Sequence, residues 1–477
     1  MLSYVFLDRT ASHLCLHDKL SSMVSLSENF VEAINENPTV FHWARFTKQL
    51  FERNGFVYLS EREKWTVQRG GKYFTIRNDS SVIAFCIGRN WKIGRDGVGL
   101  VGCHIDANCA RLKPLSVKGS VQGYRQLGVA PYAGGMSLTW WDRDLAIGGR
   151  VIVKSDNGFI TKLAHIKHPI ARIPTLAEHF GAAAEGPFNK ESQMTPVIGL
   201  VKADRDEEAT EDEKQSPVYG RHDIRLLRAI ASNIGVQVKD IYQLELELFD
   251  SQPATFGGLD REFLFCPRLD DKLCSFAASQ GLIESSTPDD AINVVALFDD
   301  EEIGSLLRQG AKGGLFQHTM TRVFNGLGEA YEDDIRQTYA NSFMISSDVT
   351  HAVNPNFSSV YLENHKPKLN TGMVFKLDSN GHTTSDSVST AFLEEVARKT
   401  GNKLQYFHIR NDSVSGGTIG PGLSSATGIR AVDAGIPQLS MHSIRATTGS
   451  KDVELGVKLF KDYFEVWSEV DKLGSGP

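Results

Sequence analysis

Two periodicities alternate along this chain. TVFHWARFTKQLFER (39–53) carries its apolar residues three and four apart, so it reads as an amphipathic helix, stopped by Asn54-Gly55. Before it, Ser27 is placed to cap a helix through NFVEAI. The pattern then turns β-like in FVYL, KYFTI and SVIAFCIG, the last two separated by the polar turn RNDS. GVGLVGCHIDA follows as a glycine-spaced apolar strand that ends in polar residues.

The texture changes from about residue 113. Short β-like pieces such as GRVIVK and TPVIGLV are mixed with a charged stretch at about 203–215, read as solvated and mobile because it offers nothing apolar to bury. Helical and apolar β segments alternate again after 256: KLCSFAASQGLIES, INVVALF, SDSVSTAFLEEVARKTG, KLQYFHI and the long helical pattern KDVELGVKLFKDYFEVWSEV. Such alternation predicts an α/β fold, a mostly parallel central sheet flanked by helices. Residues 1–106 and 256–477 then form one domain, interrupted at 107–255 by a smaller β-rich domain. No internal repeat is visible.

A chain of 477 residues has room for a large core. Its net charge of -7 and pI of about 6.1 argue against a nucleic-acid-binding surface or attraction to anionic membranes. No apolar run approaches the roughly 18 residues needed to cross a bilayer. Asp8 and Arg9 cut short the apolar start, so no secretory signal is expected, and residues 1–26 read as either a short tail or a partner-binding helix. The six cysteines show no paired spacing and are expected as free thiols.

Candidate chemistry gathers where apolar segments end. VGLVGCHID delivers His104 and Asp106; INVVALFDDEE delivers Glu301 and Glu302; NSFMISSDVTH delivers Asp348; GIPQLSMHS delivers His442. FLFCPRLDDKL adds Asp270 and Asp271 at the start of a helical pattern. Singly, each has an ordinary structural use: Asp270 and Asp348 as caps, the histidines as partners of backbone carbonyls. Five coincidences at five strand or helix edges favour a shared site, since the carboxyl ends of strands in open α/β sheets converge on one edge. His104 and Asp106, two apart on a strand, can touch, and a carboxylate beside a metal-bound imidazole fixes its tautomer. Adjacent Glu301 and Glu302 point differently, so one can bind metal while the other handles a proton. Cys103 should face away. Carboxylates and imidazoles without thiolate suit Zn²⁺, Mn²⁺ or Co²⁺.

GCHIDA, PRLDDKL, FDDEEIGS, SSDVTHAVNPNF and SMHSIRATTGSKDV, with RIPTLAEHFG, AEGPF and GGTIGPGLSSATG, resemble in order the motifs of the M18 metallopeptidases, the aspartyl and vacuolar aminopeptidases. That resemblance runs from about residue 28 to the final helix. It implies two zinc ions per subunit: Asp270 bridging, His104 and Asp348 completing one site, Glu302 and His442 the other. It further implies Glu301 as the general base, Asp106 as the residue orienting His104, and peptides as substrates. The insertion would be a dimerisation domain, with dimers assembled into a tetrahedral dodecamer and His179 reaching a neighbouring subunit's site.

Specificity signals conflict. Lys376 stands where aspartyl members carry a lysine for the substrate's acidic side chain, which favours N-terminal Asp or Glu. Against this, Asn354 replaces a histidine of the aspartyl members, and the overall wording is nearer the vacuolar, leucine-type branch. A two-metal amidase or deacetylase would use the same ligands. A non-catalytic scaffold would have lost one, and none is lost. Nucleophile-based hydrolysis lacks a GxSxG, and the serines of GGTIGPGLSSATG are expected in a glycine-rich loop. Cytoplasmic residence is expected, with delivery to a vacuole left open.

Overall fold

The computed structural model describes residues 25–201, 208–328 and 330–473. Most of the N-terminal segment and part of the charged stretch therefore lie outside the described residues.

The centre of the fold is a nine-stranded sheet among the described residues. Four neighbouring strands form its middle: Ile292–Phe298, Val98–His104, Phe343–Ser346 and Arg430–Gly435, each parallel to the next. They are near-continuous runs of buried apolar residues, as strands covered on both faces must be. Antiparallel pairings occur further out, where Lys72–Arg77 meets Ser81–Ile87 and Met373–Leu377 meets Arg430–Gly435. The RNDS turn is a tight hairpin in which Asn78 and Asp79 both take left-handed backbone, φ 59° and 55°.

One face is covered by the helices Leu26–Glu36, Val40–Arg53, Leu269–Glu284 and Asp452–Leu473. The other is covered by Leu315–Leu327 and Gly420–Thr427, which bury Leu315, Met320, Phe324 and Leu423. Leu269–Glu284 is apolar on nearly all sides because it lies between the sheet and the C-terminal helix. That last helix drives Trp467 into the core, where its Nε1 donates to Asn293 Oδ1 at 2.9 Å and Asn293 Nδ2 donates to Phe464 O. Full burial of a side chain of this size stabilises by about 3 kcal/mol.

A second, six-stranded sheet is antiparallel throughout and drawn from residues 109–250. The helix Ile224–Ile234 packs on it around a separate apolar cluster containing Trp140, Leu227 and Ile230. Its strands Cys109–Val121 and Tyr124–Tyr132 begin and end beside the large sheet, which brings residues of the second sheet to the main sheet's edge.

Four local expectations need correction. The first helix is capped by Ser25, with Glu28 completing the capping box. Ser27 is buried, and its hydroxyl oxygen lies 2.6 Å from both Ser450 O and Glu454 Oε2 of the last helix. FVYL contributes only the two-residue strand Val57–Tyr58. Within the described part of the charged stretch, Glu213 pairs with Arg228 at 2.7 Å, so that end is anchored rather than loose. Ser424 and Ser425 lie on the helix Gly420–Thr427, not in a loop. The five described cysteines are free and buried.

Candidate active site

Parallel pairing sets the ends of the central strands level. Phe298 stands opposite His104, and Ser346 opposite Gly102, so His104, the Asp299–Glu302 turn and Asp348 emerge at one edge. Gly435, on the neighbouring strand, makes room for this. A Cβ there would fall 1.6 Å from Asp348 O, so no side chain fits beneath that backbone. Asp270 and Asp271 arrive from the first turn of Leu269–Glu284, where their backbone is not helical. His442 comes from the turn after Pro437–Gln438 and takes left-handed backbone itself, φ 62°.

The side chains converge. His104 Nε2 lies 3.1 Å from Asp270 Oδ1, 3.7 Å from Asp348 Oδ1 and 3.8 Å from Glu301 Oε2. Asp270 turns its other oxygen to His442, with Oδ2 3.5 Å from Nε2, and Glu302 Oε2 is 3.8 Å from the same nitrogen. Two groups have ligand atoms within 4.8 Å of one another: His104, Asp271 and Asp348; and Asp270, Glu302 and His442. Asp271, however, has both oxygens engaged, accepting from the backbone of His104 at 3.3 Å and of Val349 at 3.2 Å. It braces the two strand ends. Asp270, with one oxygen toward each histidine, is the carboxylate that spans both groups.

Charge in this cluster is unbalanced. Burial first, then the charges of Asp348, Asp106 and Asp270, push Glu301 up to about 8 despite His104. Glu302 is raised well above the usual carboxylate range by burial and Asp270, and Asp270 by burial and Asp348. For Asp348 burial acts upward, but Lys376 Nζ at 2.9 Å and His104 outweigh it and hold the carboxyl low. Glu302 Oε1 and Asp348 Oδ1 are buried without a hydrogen-bond partner among the described residues. Crowded carboxylates, orphaned oxygens and two imidazoles form a donor set suited to divalent cations, zinc among them. Cys103 points into the apolar core and supplies no thiolate.

A family model for aminopeptidase I zinc metalloproteases (M18) matches residues 33–464. The chain belongs to the M18 family of metalloaminopeptidases. It is 48% identical over 463 residues to vacuolar aminopeptidase 1 of Saccharomyces cerevisiae, covering 94% of this chain and 90% of that protein. It is 40% identical to an aspartyl aminopeptidase of Aspergillus oryzae, covering 93% and 96%. A solved structure of the S. cerevisiae mApe1 dodecamer superposes with a TM-score of 0.85 at 43% identity, covering 95% of this chain and 99% of that one.

In this aminopeptidase Asp106 does more than touch His104. Its Oδ1 accepts from His104 Nδ1 at 3.1 Å and from the backbone of Glu301 at 3.2 Å. Its Oδ2 accepts from Tyr132 Oη at 2.7 Å and from the backbone of Glu302 at 3.1 Å. One carboxylate therefore fixes the histidine and the turn bearing both glutamates. Burial acts upward on Asp106, but the bonds from His104 and Tyr132 prevail and keep it ionised. Tyr132 and the buried Lys272, whose Nζ donates to Ile105 O at 2.9 Å, were not legible as site residues. No local pattern marks either; each acts on a partner distant in sequence.

Lys376 reaches the site from a strand antiparallel to Arg430–Gly435 and lines the cavity, about 430 Å³, that opens over the cluster. Asn354 uses its side chain to cap the turn at Asn356. His179 lies on an exposed turn, Glu178–Ala184, and does not line its own chain's cavity. Among the described residues no helix is long and apolar enough to cross a membrane.

Proposed function

We propose that the enzyme removes the N-terminal residue of peptides at a two-zinc site, with Asp270 shared, His104 and Asp348 on one ion, and Glu302 and His442 on the other. Supporting this is the splayed Asp270 carboxylate, 3.1 Å from one histidine and 3.5 Å from the other. Zinc held there would supply Lewis acidity toward the scissile carbonyl and lower the pKa of a water toward neutral. Glu301 accepts that proton and delivers it to the nitrogen of the leaving amine, while Asp106 holds His104 and the Glu301 turn in register. The water's oxygen ends on the new carboxylate as the C–N bond breaks.

Lys376 is the proposed selector of acidic N-terminal residues. Burial opposes its charge, but Asp348 and Asp433 keep it protonated, and an ammonium has three donors of which Asp348 takes one. The bond to Asp348 also supports a second reading, a neutral or hydrophobic preference, because it offsets the lysine's charge, and Leu377, Phe407 and Ile409 line the same cavity. The sheet of residues 109–250 is the proposed dimerisation domain of an oligomer like the solved dodecamer, His179 acting across a subunit boundary. Cytoplasmic residence is proposed with it, vacuolar delivery being left open. Hydrolysis rates on aspartyl and leucyl anilides test the specificity. A ratio well above one that collapses in Lys376→Ala supports acidic selection, and a ratio well below one assigns the enzyme to the leucine type.

A further inference from the structure

The cavity holds a second lysine, exposed and without an ion-pair partner among the described residues. Lys312 sits on a short turn, Ala311–Gly313, after the loop that carries Glu301. Its Nζ donates to Gly304 O at 3.1 Å, and among the described residues no carboxylate pairs with it. It lines the same cavity as Glu301, Glu302 and Lys376. Unlike Lys376, which is tied to Asp348, Lys312 is exposed and has no side-chain partner among the described residues.

Its position is built rather than incidental. The aliphatic stem runs along Gly422 of the helix Gly420–Thr427, where a Cβ would lie 3.2 Å from Lys312 Cε and 3.4 Å from its Cγ. Gly422 therefore leaves a groove for the stem, while the backbone of Lys312 donates to Ser305 O at 3.2 Å. The ammonium is thus fixed to the turn that bears the proposed base.

We infer that Lys312 is a specificity residue for the leaving side of the substrate, pairing with a carboxylate on the residue behind the scissile bond, of which the free C-terminus of a dipeptide is the simplest case. This rests on the aminopeptidase reading above and on Glu301 as its base. Glu301 gives its proton to the leaving nitrogen, so the residue that owns this nitrogen begins at Glu301. It then extends along Gly304 toward Lys312. The side chain ahead of the bond is directed toward Lys376 and Leu377, whose strand is separated by three others from the one that leads into Glu301.

Three substrates sharing one N-terminal residue test this with the zinc-loaded enzyme: a dipeptide, its C-terminal amide, and the aminoacyl anilide. Wild-type enzyme should favour the dipeptide over its amide in kcat/KM by about tenfold, the scale of a charge-assisted hydrogen bond. Lys312→Met should erase that advantage through KM, lowering kcat/KM for the dipeptide about tenfold more than for the amide or the anilide, and Lys312→Arg should restore much of it. An equal loss on all three substrates would reduce Lys312 to a prop for the Gly304 loop and overturn the inference. A change confined to the choice between aspartyl and leucyl anilides would move its action to the other side of the bond and overturn it as well. Glu301→Gln in the same assay tests the underlying reading separately: it should abolish turnover of all three substrates whatever Lys312 does.

Discussion

Consider Asp106→Asn. The native carboxylate accepts two hydrogen bonds on each oxygen: His104 Nδ1 and the Glu301 amide on one, Tyr132 Oη and the Glu302 amide on the other. An asparagine can present only one acceptor oxygen, so whichever way it turns, two donors face an NH₂ group. Each buried bond to a charged acceptor is worth about 1.5–3 kcal/mol, so the change removes about 3–6 kcal/mol of organisation before relaxation. Part should appear as lower stability in urea. The rest should appear as weaker zinc binding, by about 10–100-fold, because His104 loses the partner that orients it. Tyr132 Oη and the carboxylate share one hydrogen bond that both single changes weaken, so the double variant with Tyr132→Phe should be less destabilised than the sum of the singles by about 1 kcal/mol or more. Strict additivity, or a zinc affinity within twofold of wild type, would refute the view that one carboxylate organises both the histidine and the base turn.

Gly435→Ala places a methyl 1.6 Å from Asp348 O, so the Asp348 backbone must move; a loss of about 3 kcal/mol or more and impaired zinc binding are expected, and a near-neutral thermal melt would show the contact to be relaxed. His42 is pushed down to about 3, by burial first and then by Arg45 and other nearby cations, against an ordinary 6.5. Its folded pKa is therefore depressed below the unfolded value. Stability from keeping it neutral is fully present above about pH 6.5 and is lost as pH falls toward 3, at up to about 1.4 kcal/mol per pH unit. Denaturant unfolding at pH 7 and 5 should show this slope flattened in His42→Gln; an unchanged slope would assign the acid sensitivity to other groups.

Much of the site was legible because its residues interrupt patterns. A fully buried strand such as INVVALF has no reason to end in four acids unless they face something, and parallel pairing then sets Phe298, just before the acids, level with His104. What was hidden is tertiary. Ser25 and Ser27 are equally good caps by local chemistry, and only the approach of Ser450 and Glu454 takes Ser27 away. LSSATG, flanked by glycines, reads as a loop, yet burial of Leu423 against the sheet holds it helical. Tyr132 lies in the strand Tyr124–Tyr132 of the second sheet, and its importance follows only from where that strand ends relative to Asp106.

The central claim is tested most directly by adding zinc in known equivalents to the chelator-stripped enzyme and following both bound metal and hydrolysis of an aminoacyl anilide. Activity should saturate at two equivalents per chain, and Glu301→Gln should bind the same two while recovering no turnover. Saturation at one equivalent, or turnover returning in Glu301→Gln, would contradict a two-zinc site served by Glu301.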